Sequence, residues 1–413
     1  WENPGKWLLG IDISSIYLVA IERGMGNSST CSDVSSASPN HLRTRGLRGG
    51  ARGTGEFSTM YARMQANAAS QQLFDAAVRG DLKTAMMALV EKASPNCCNA
   101  EGYTTLMMTA ANGSLDVARV LVTSGAEVNS IPNVLGVSAL GLAAAQGSVE
   151  MVSLLLTWRA EPNVGRLKGN APLSRAAASG HVEVCSMLLE ARASVDAIDE
   201  NGMSPVMLST ERQRLKTTQL LLQHGASMTA VDIKSCSTLS RAVDLLLKMD
   251  FLLRAPVAMR SPASPYDAWT DVCCIMAGRK ADVNIIDTNG DTLLYRAVRQ
   301  KCEEVVVLLL TLGADVNFAV PSLKGGPVLL LAVEQGQRDL CEAMVIRSAN
   351  LNKADSSGML PIFIALDRCD EEMCCYLLQR GAWPHSLDPR TGESVCLKAA
   401  AKGLRRLYDL LLP

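Results

Sequence analysis

The feature that most limits what this chain can fold into is a repeat of about 33 residues. An apolar anchor recurs at Leu73, Leu106, Leu140, Leu173, Val206, Leu239, Leu294, Leu329, Ile362 and Cys396, in steps of 33 to 35 with one step of 55. Ala stands three residues past the anchor in eight of ten units, and twenty past it in eight of the nine units long enough to test. Gly stands four residues before it in eight of nine, with Ser235 the exception. Three columns holding one period exclude a core assembled from unrelated elements. They point to similar units stacked in a row.

The columns have physical reasons. Gly permits a positive φ or a close backbone approach in a tight turn. A Ser or Thr two residues before the anchor is placed to cap a first helix, as at Thr104, Ser138, Ser204, Ser237, Thr292 and Ser394. Small pairs such as Ala143-Ala144 and Ala176-Ala177 let a neighbouring helix pack close. A second helix richer in Leu and Val follows, for example Val152 to Leu156 and Val305 to Leu310. Such a unit is apolar on two sides and buries that surface only by stacking on its neighbours.

The segments from Gly102-Tyr103-Thr104-Thr105-Leu106 to Gly125-Ala126-Glu127-Val128-Asn129, and from Gly290 to Gly313-Ala314-Asp315-Val316-Asn317, resemble ankyrin repeats. The resemblance implies an all-α solenoid of helix-turn-helix units joined by short β-hairpin-like turns, with ten units from about Ala69 to Pro413 and the last truncated. The family's His just after the anchor is absent; those positions hold Phe74, Met107, Gly141, Ser174, Met207, Ser240, Tyr295, Leu330, Phe363 and Leu397. Four segments are expected. Residues 1–68 form a disordered Ser/Gly/Arg-rich stretch, with Met60 an alternative start. Residues 69–246 hold repeats one to six, 247–270 an insertion loop, and 271–413 the remainder through repeat ten. The insertion accounts for the long step. Its prolines Pro256, Pro262 and Pro265 oppose a continuous helix, while Phe251, Leu252, Leu253, Tyr266 and Trp269 are apolar for a solvated loop. It reads as a loop tucked on the repeat flank or as a partner-binding appendage.

Several function classes are excluded or left without parts. Forty basic against 41 acidic residues leave no cationic excess for nucleic acid or an anionic membrane. The nearest candidate for a membrane span, Trp7 to Ile21, is short and carries Asp12, Ser14 and Ser15. Thirteen cysteines, an odd number that includes the adjacent pairs Cys97-Cys98, Cys273-Cys274 and Cys374-Cys375, suit reduced thiols in a cytosolic or nuclear compartment. Arg-Gly pairs between residues 41 and 53 lack the interleaved aromatics that stacking on RNA uses. Gly50 to Gly55 has phosphate-loop spacing, but Glu56 and Phe57 stand where Lys and Ser or Thr are needed. The four histidines and the Cys369, Cys374 and Cys375 group lack partners at metal spacing. No catalytic, cofactor-binding or metal-binding residue is expected, and the chain reads as a non-enzyme.

Surface is what remains. The resemblance implies that protein partners dock on a concave face, through turn residues and positions just past the small pair. By offset these are Tyr103, Val137, Met203, Asp291 and Met359 in the turns, and Glu211, Asp244, Arg299, Glu334 and Asp367 five past the anchor. They suggest an apolar slot followed by an acidic stretch favouring basic segments. The function expected is a protein-interaction module, as scaffold, adaptor or inhibitor. The alternative is a regulatory arm of a larger enzyme or assembly, since the chain stops inside a tenth unit with no polar cap.

Overall fold

The computed structural model describes residues 67–411 apart from 132, 134, 166–169 and 254–263. The Arg-Gly stretch and all else before residue 67 lie outside the described residues. Twenty helices are described, two to each of ten units. Units one to four comprise α1 (67–79) and α2 (Leu82–Val90), α3 (Thr105–Asn112) and α4 (Leu115–Thr123), α5 (Ala139–Gln146) and α6 (Val149–Thr157), and α7 (Pro172–Ser179) and α8 (Val182–Glu190). Units five to seven are α9 (Pro205–Glu211) and α10 (Leu215–Gln223), α11 (Thr238–Leu253) and α12 (Pro265–Gly278), and α13 (Leu293–Arg299) and α14 (Glu303–Thr311). Units eight to ten are α15 (Val328–Gln335) and α16 (Arg338–Ile346), α17 (Pro361–Asp367) and α18 (Glu371–Gln379), and α19 (Val395–Ala401) and α20 (Arg405–Leu411). Among the described residues β structure is confined to isolated bridges in the hairpins. The chain divides into two compact bodies between Glu200 and Asn201. In each, first helices pack on first helices and on their own second helices.

The columns do what their chemistry predicts. All six expected caps form: the hydroxyls of Thr104, Ser138, Ser204, Ser237, Thr292 and Ser394 accept from the backbone N–H three residues on, at 3.0–3.4 Å. Nine of the ten anchors are buried in the two cores, and only Cys396 is partly exposed. The residue three past each anchor has no exposed surface, from Ala76 to Ala399. Where Ser235 replaces Gly, the backbone still takes φ of 57°, so the turn is imposed by the stack against the residue's preference.

Two sets of bonds tie neighbouring units. The last carbonyls of a helix have no intrahelical donor, and here a side chain of the next unit supplies one. Asn112 donates to Ala77 O at 2.7 Å, His181 Nε2 bonds Ala145 O at 3.0 Å, and Lys402 donates to Asp367 O at 3.1 Å. A side chain at Gly147, which has φ of 79°, would place its Cβ 2.4 Å from the His181 ring, so that approach requires glycine.

The second set is an Asn ladder 23 residues past the anchor. In units one to three, and again in units seven and eight, the amide of Asn96, Asn129, Asn163, Asn317 or Asn352 accepts from one backbone N–H of the following unit and donates to a carbonyl there. Asp196 and Thr229 hold this column in units four and five, and neither has the amide donor. Replacing Asn317 by Ala removes the 2.7 Å bond from Asn350 N–H and the 3.1 Å bond to Ser348 O. The expected loss is about 1–2 kcal/mol, read from the urea midpoint, with Asn317→Asp falling between Ala and wild type. An unchanged midpoint in both variants would remove the ladder from the forces joining units.

Two expectations change. Helix α1 begins at residue 67, inside the stretch assigned to the disordered segment. The segment 247–270 is only partly a loop. Helices α11 and α12 run 16 and 14 residues where the other units from the second on have 7–9, so much of the extra chain lengthens the sixth hairpin. Pro265 starts α12 at a position where proline's missing N–H costs nothing, and Ser264 caps it through Tyr266 N at 3.2 Å.

Candidate interaction surface

Units two, three, six, seven, nine and ten enter their first helix through a hairpin fixed by an Asn or Asp seven or eight residues before the anchor. Asn99, Asp232, Asp287, Asp355 and Asp388 accept from the N–H two residues on through Oδ1, at 2.8–3.1 Å. Asn133 holds Val137 from both sides, accepting from its N–H at 2.8 Å and donating to its carbonyl at 2.6 Å. A backbone bond then closes the turn, as from Asn99 N to Tyr103 O at 3.0 Å and from Asp355 N to Met359 O at 3.2 Å.

This closure turns the residue before the cap inward. Tyr103, Val137, Met203, Asp291 and Met359 are all buried. The apolar slot expected from them is therefore packed interior, not an open groove. Exposed apolar side chains lie a few residues earlier, at the tips. Val231, Ile233 and Ile286 are exposed in the second body, Ile233 at 70%. Ile198 has the register of Val231 and Ile286 and is also exposed. The bridges Val231–Ser237 and Ile286–Thr292 hold two of these tips against the cap residues.

The acidic series is also altered. Glu211, Asp244 and Asp367 each meet a cation two residues past the next anchor. Arg241 reaches Glu211 at 3.3 Å, Arg296 reaches Asp244 at 2.8 Å, and Lys398 reaches Asp367 at 2.8 Å. Arg241 also pairs with buried Asp232, and Arg390 with Asp367. Burial pushes the Asp244 carboxyl up, against the opposing pull of Arg296. At Asp367 burial pushes the same way, but hydrogen bonds from Lys398 and Arg390 overcome it and lower the pKa. These acids clasp one unit to the next, so the acidic stretch is largely neutralised within the chain. Arg299 and Glu334 are exposed, and the Glu334 backbone carbonyl accepts from Arg368.

A family model for three-copy ankyrin repeats matches residues 73–166 and 159–232, and a single-repeat model matches 289–319. The chain is an ankyrin-repeat protein. It is 33% identical over 87 residues to mouse B-cell lymphoma 3 protein homolog, covering 21% of this chain and 19% of that one. It is 25% identical over 118 residues to human Rabankyrin-5, covering 26% and 10%. A third relative, ANK repeat-containing protein nipk-1 of Caenorhabditis elegans, is 28% identical over 141 residues, covering 31% and 23%. The matches thus span a tenth to about a quarter of these relatives. Ankyrin repeats are protein-interaction modules, and the family is typically non-catalytic. None of the described helices of this ankyrin-repeat protein is long and apolar enough to cross a membrane.

Its cysteines follow the repeat. Cys185, Cys273, Cys341 and Cys374 occupy one column of the second helix, and burial pushes each thiol up to about 12. A thiolate is the nucleophile and the metal ligand, so these four behave as small apolar residues. All twelve described cysteines are free thiols, and no group of three or more His, Cys, Asp or Glu among the described residues is arranged to hold a metal. The Asn ladder and the cation column were within reach of sequence reasoning, since both keep the period.

Proposed function

We propose that this ankyrin-repeat protein is a non-enzymatic interaction module, acting as scaffold, adaptor or inhibitor, and that it grips a protein segment along its hairpin tips. The observation that supports this most is the register of exposed aliphatic side chains. Single exposed apolar residues are ordinary on any surface. Val231 and Ile286 recur at one position of successive units, with Ile233 beside the first, on hairpins held by bridges and side-chain bonds. A fixed, repeated apolar contact is what a partner's hydrophobic side chains need, because little entropy is lost in ordering it.

The test is affinity capture with the full chain, followed by titration of the recovered partner against a Val231→Asp, Ile233→Asp, Ile286→Asp variant. These side chains are exposed, so far-UV circular dichroism is expected to stay unchanged. Binding is expected to weaken at least about tenfold, roughly 1.4 kcal/mol. Equal affinity for both proteins would move the docking site off the tips.

A further inference from the structure

The column two residues past the anchor holds four cations, Arg175, Arg241, Arg296 and Lys398. Three of them are answered by a carboxylate five past the preceding anchor. Arg296 shows the full pattern. It donates to Asp244 at 3.1 Å and to Ser240 Oγ, on the residue just past the same anchor, at 2.9 Å. For Arg175 those two positions are Ala145 and Gly141, and neither carries a polar side chain.

Arg175 meets only neutral acceptors. Nε donates to Gly141 O at 3.1 Å and one terminal nitrogen donates to Asn170 Oδ1 at 3.1 Å. No ion pair to Arg175 is found among the described residues, and the neighbouring 166–169, Arg-Leu-Lys-Gly, contains no acid. The other terminal nitrogen has no partner among the described residues and is not sealed from solvent. The residue is partly buried, and burial pulls its pKa down. The Tyr103 hydroxyl has no hydrogen-bond partner among the described residues and lies within electrostatic range of the guanidinium.

We infer that Arg175 is a receptor for an aspartate or glutamate side chain of a protein partner, which takes the place that Glu211, Asp244 and Asp367 fill for the other cations of the column. Two bonds hold the guanidinium in position, and the register positions that supply the acceptors for Arg296 are here Gly141 and Ala145, which offer no polar side chain. A desolvated cation left without a counter-charge gains more from an incoming carboxylate than an exposed one does. Tyr103 supplies a hydroxyl donor nearby. The inference rests on the interaction reading and names one chemical feature of the partner.

Two measurements test it on the full chain. The first needs no partner. Ala145→Glu restores the in-chain acid and is expected to raise the Tm by about 2 °C; in an Arg175→Met background the same change is expected to give no rise. The second is fluorescence anisotropy with a labelled hexaglutamate peptide. Arg175→Met and Ala145→Glu should each weaken it at least fivefold, the second by occupying the site from within, and Arg175→Lys should recover part of the loss. A hexalysine peptide should not bind through this residue. The inference is overturned if Ala145→Glu leaves Tm unchanged or acts equally in both backgrounds, or if hexaglutamate binding ignores Arg175. A tenfold preference for a phosphoserine peptide would also overturn it, by reassigning the site to phosphate. The thermal cycle fails independently of the interaction reading, and a chain that captures no protein sinks that reading while leaving the cycle intact.

Discussion

Replacing Lys398 by Met is expected to cost about 3–5 kcal/mol at neutral pH, the range for breaking a buried ion pair on one side. The Lys398 side chain is 8% exposed and that of Asp388 is fully buried. Lys398 Nζ donates to Asp388 and pairs with Asp367 at 2.8 Å, and it stands 5.7 Å from the centre of the Phe363 ring. Methionine keeps the stem packed and removes only the charge, leaving Asp388 with Arg390 at 3.4 Å. In the wild type burial works to raise the Asp388 carboxyl, but hydrogen bonds from Lys398 and Arg390 hold it at about 2. A folded pKa below the unfolded value, near 3.9, means the stabilisation is complete above that value and is lost as pH falls toward 2. Without Lys398 the largest bond opposing burial is gone and the folded pKa rises, so the variant loses less stability on acidification than the wild type does. The penalty is therefore expected to shrink as pH falls from neutral to about 4. Urea unfolding at both pH values reads it, and Lys398→Met with Asp388→Asn should recover much of the loss because no buried charge remains. A penalty below about 1 kcal/mol, or one independent of pH, contradicts this account.

Much of the fold was legible in the sequence because its columns are short-range demands of a single unit. A capping hydroxyl needs only the N–H three residues on, so Thr104 and Ser394 were identifiable without coordinates. The anchor and the small residue after it are fixed by helix geometry in the same way. The surface was less legible because its residues answer to other units. Glu211 looks like a free acid until Arg241, thirty residues later, is placed against it, and Asp244 until Arg296 is. Tyr103 and Met203 look like turn-tip side chains, yet the hairpin closes so that the residue before the cap turns inward. The exposed tip is Val231 or Ile233, distinguished from Cys236 only by the bonds that Asp232 makes around it. Local chemistry was readable one unit at a time. Which surface is left over was not.

The lengthened sixth hairpin separates two accounts of the insertion, and truncating Trp269 to Ala decides between them. Trp269 lies on the added length of α12, is 2% exposed, and is among the largest fully buried side chains described. Tyr266, one turn earlier, is also buried, and its carbonyl accepts from Thr270 Oγ at 3.0 Å. Pro265 before them and Asp267 between them are exposed, so α12 presents one apolar face inward with the spacing of an amphipathic helix. Helix α11 packs against α12, which gives the inward face a partner. A buried Trp reduced to Ala leaves a cavity as well as losing transfer energy, and the expected cost is about 3–5 kcal/mol. Trp269→Phe should recover more than half of it, while Asp267→Ala on the exposed face should change stability by less than about 0.5 kcal/mol. If the added helix length serves to pack this unit, Trp269→Ala lowers the urea midpoint and any partner recovered by the wild type still binds the variant under native conditions. If the length instead serves as a partner-binding appendage, the midpoint stays within the spread of surface substitutions and the partner is lost.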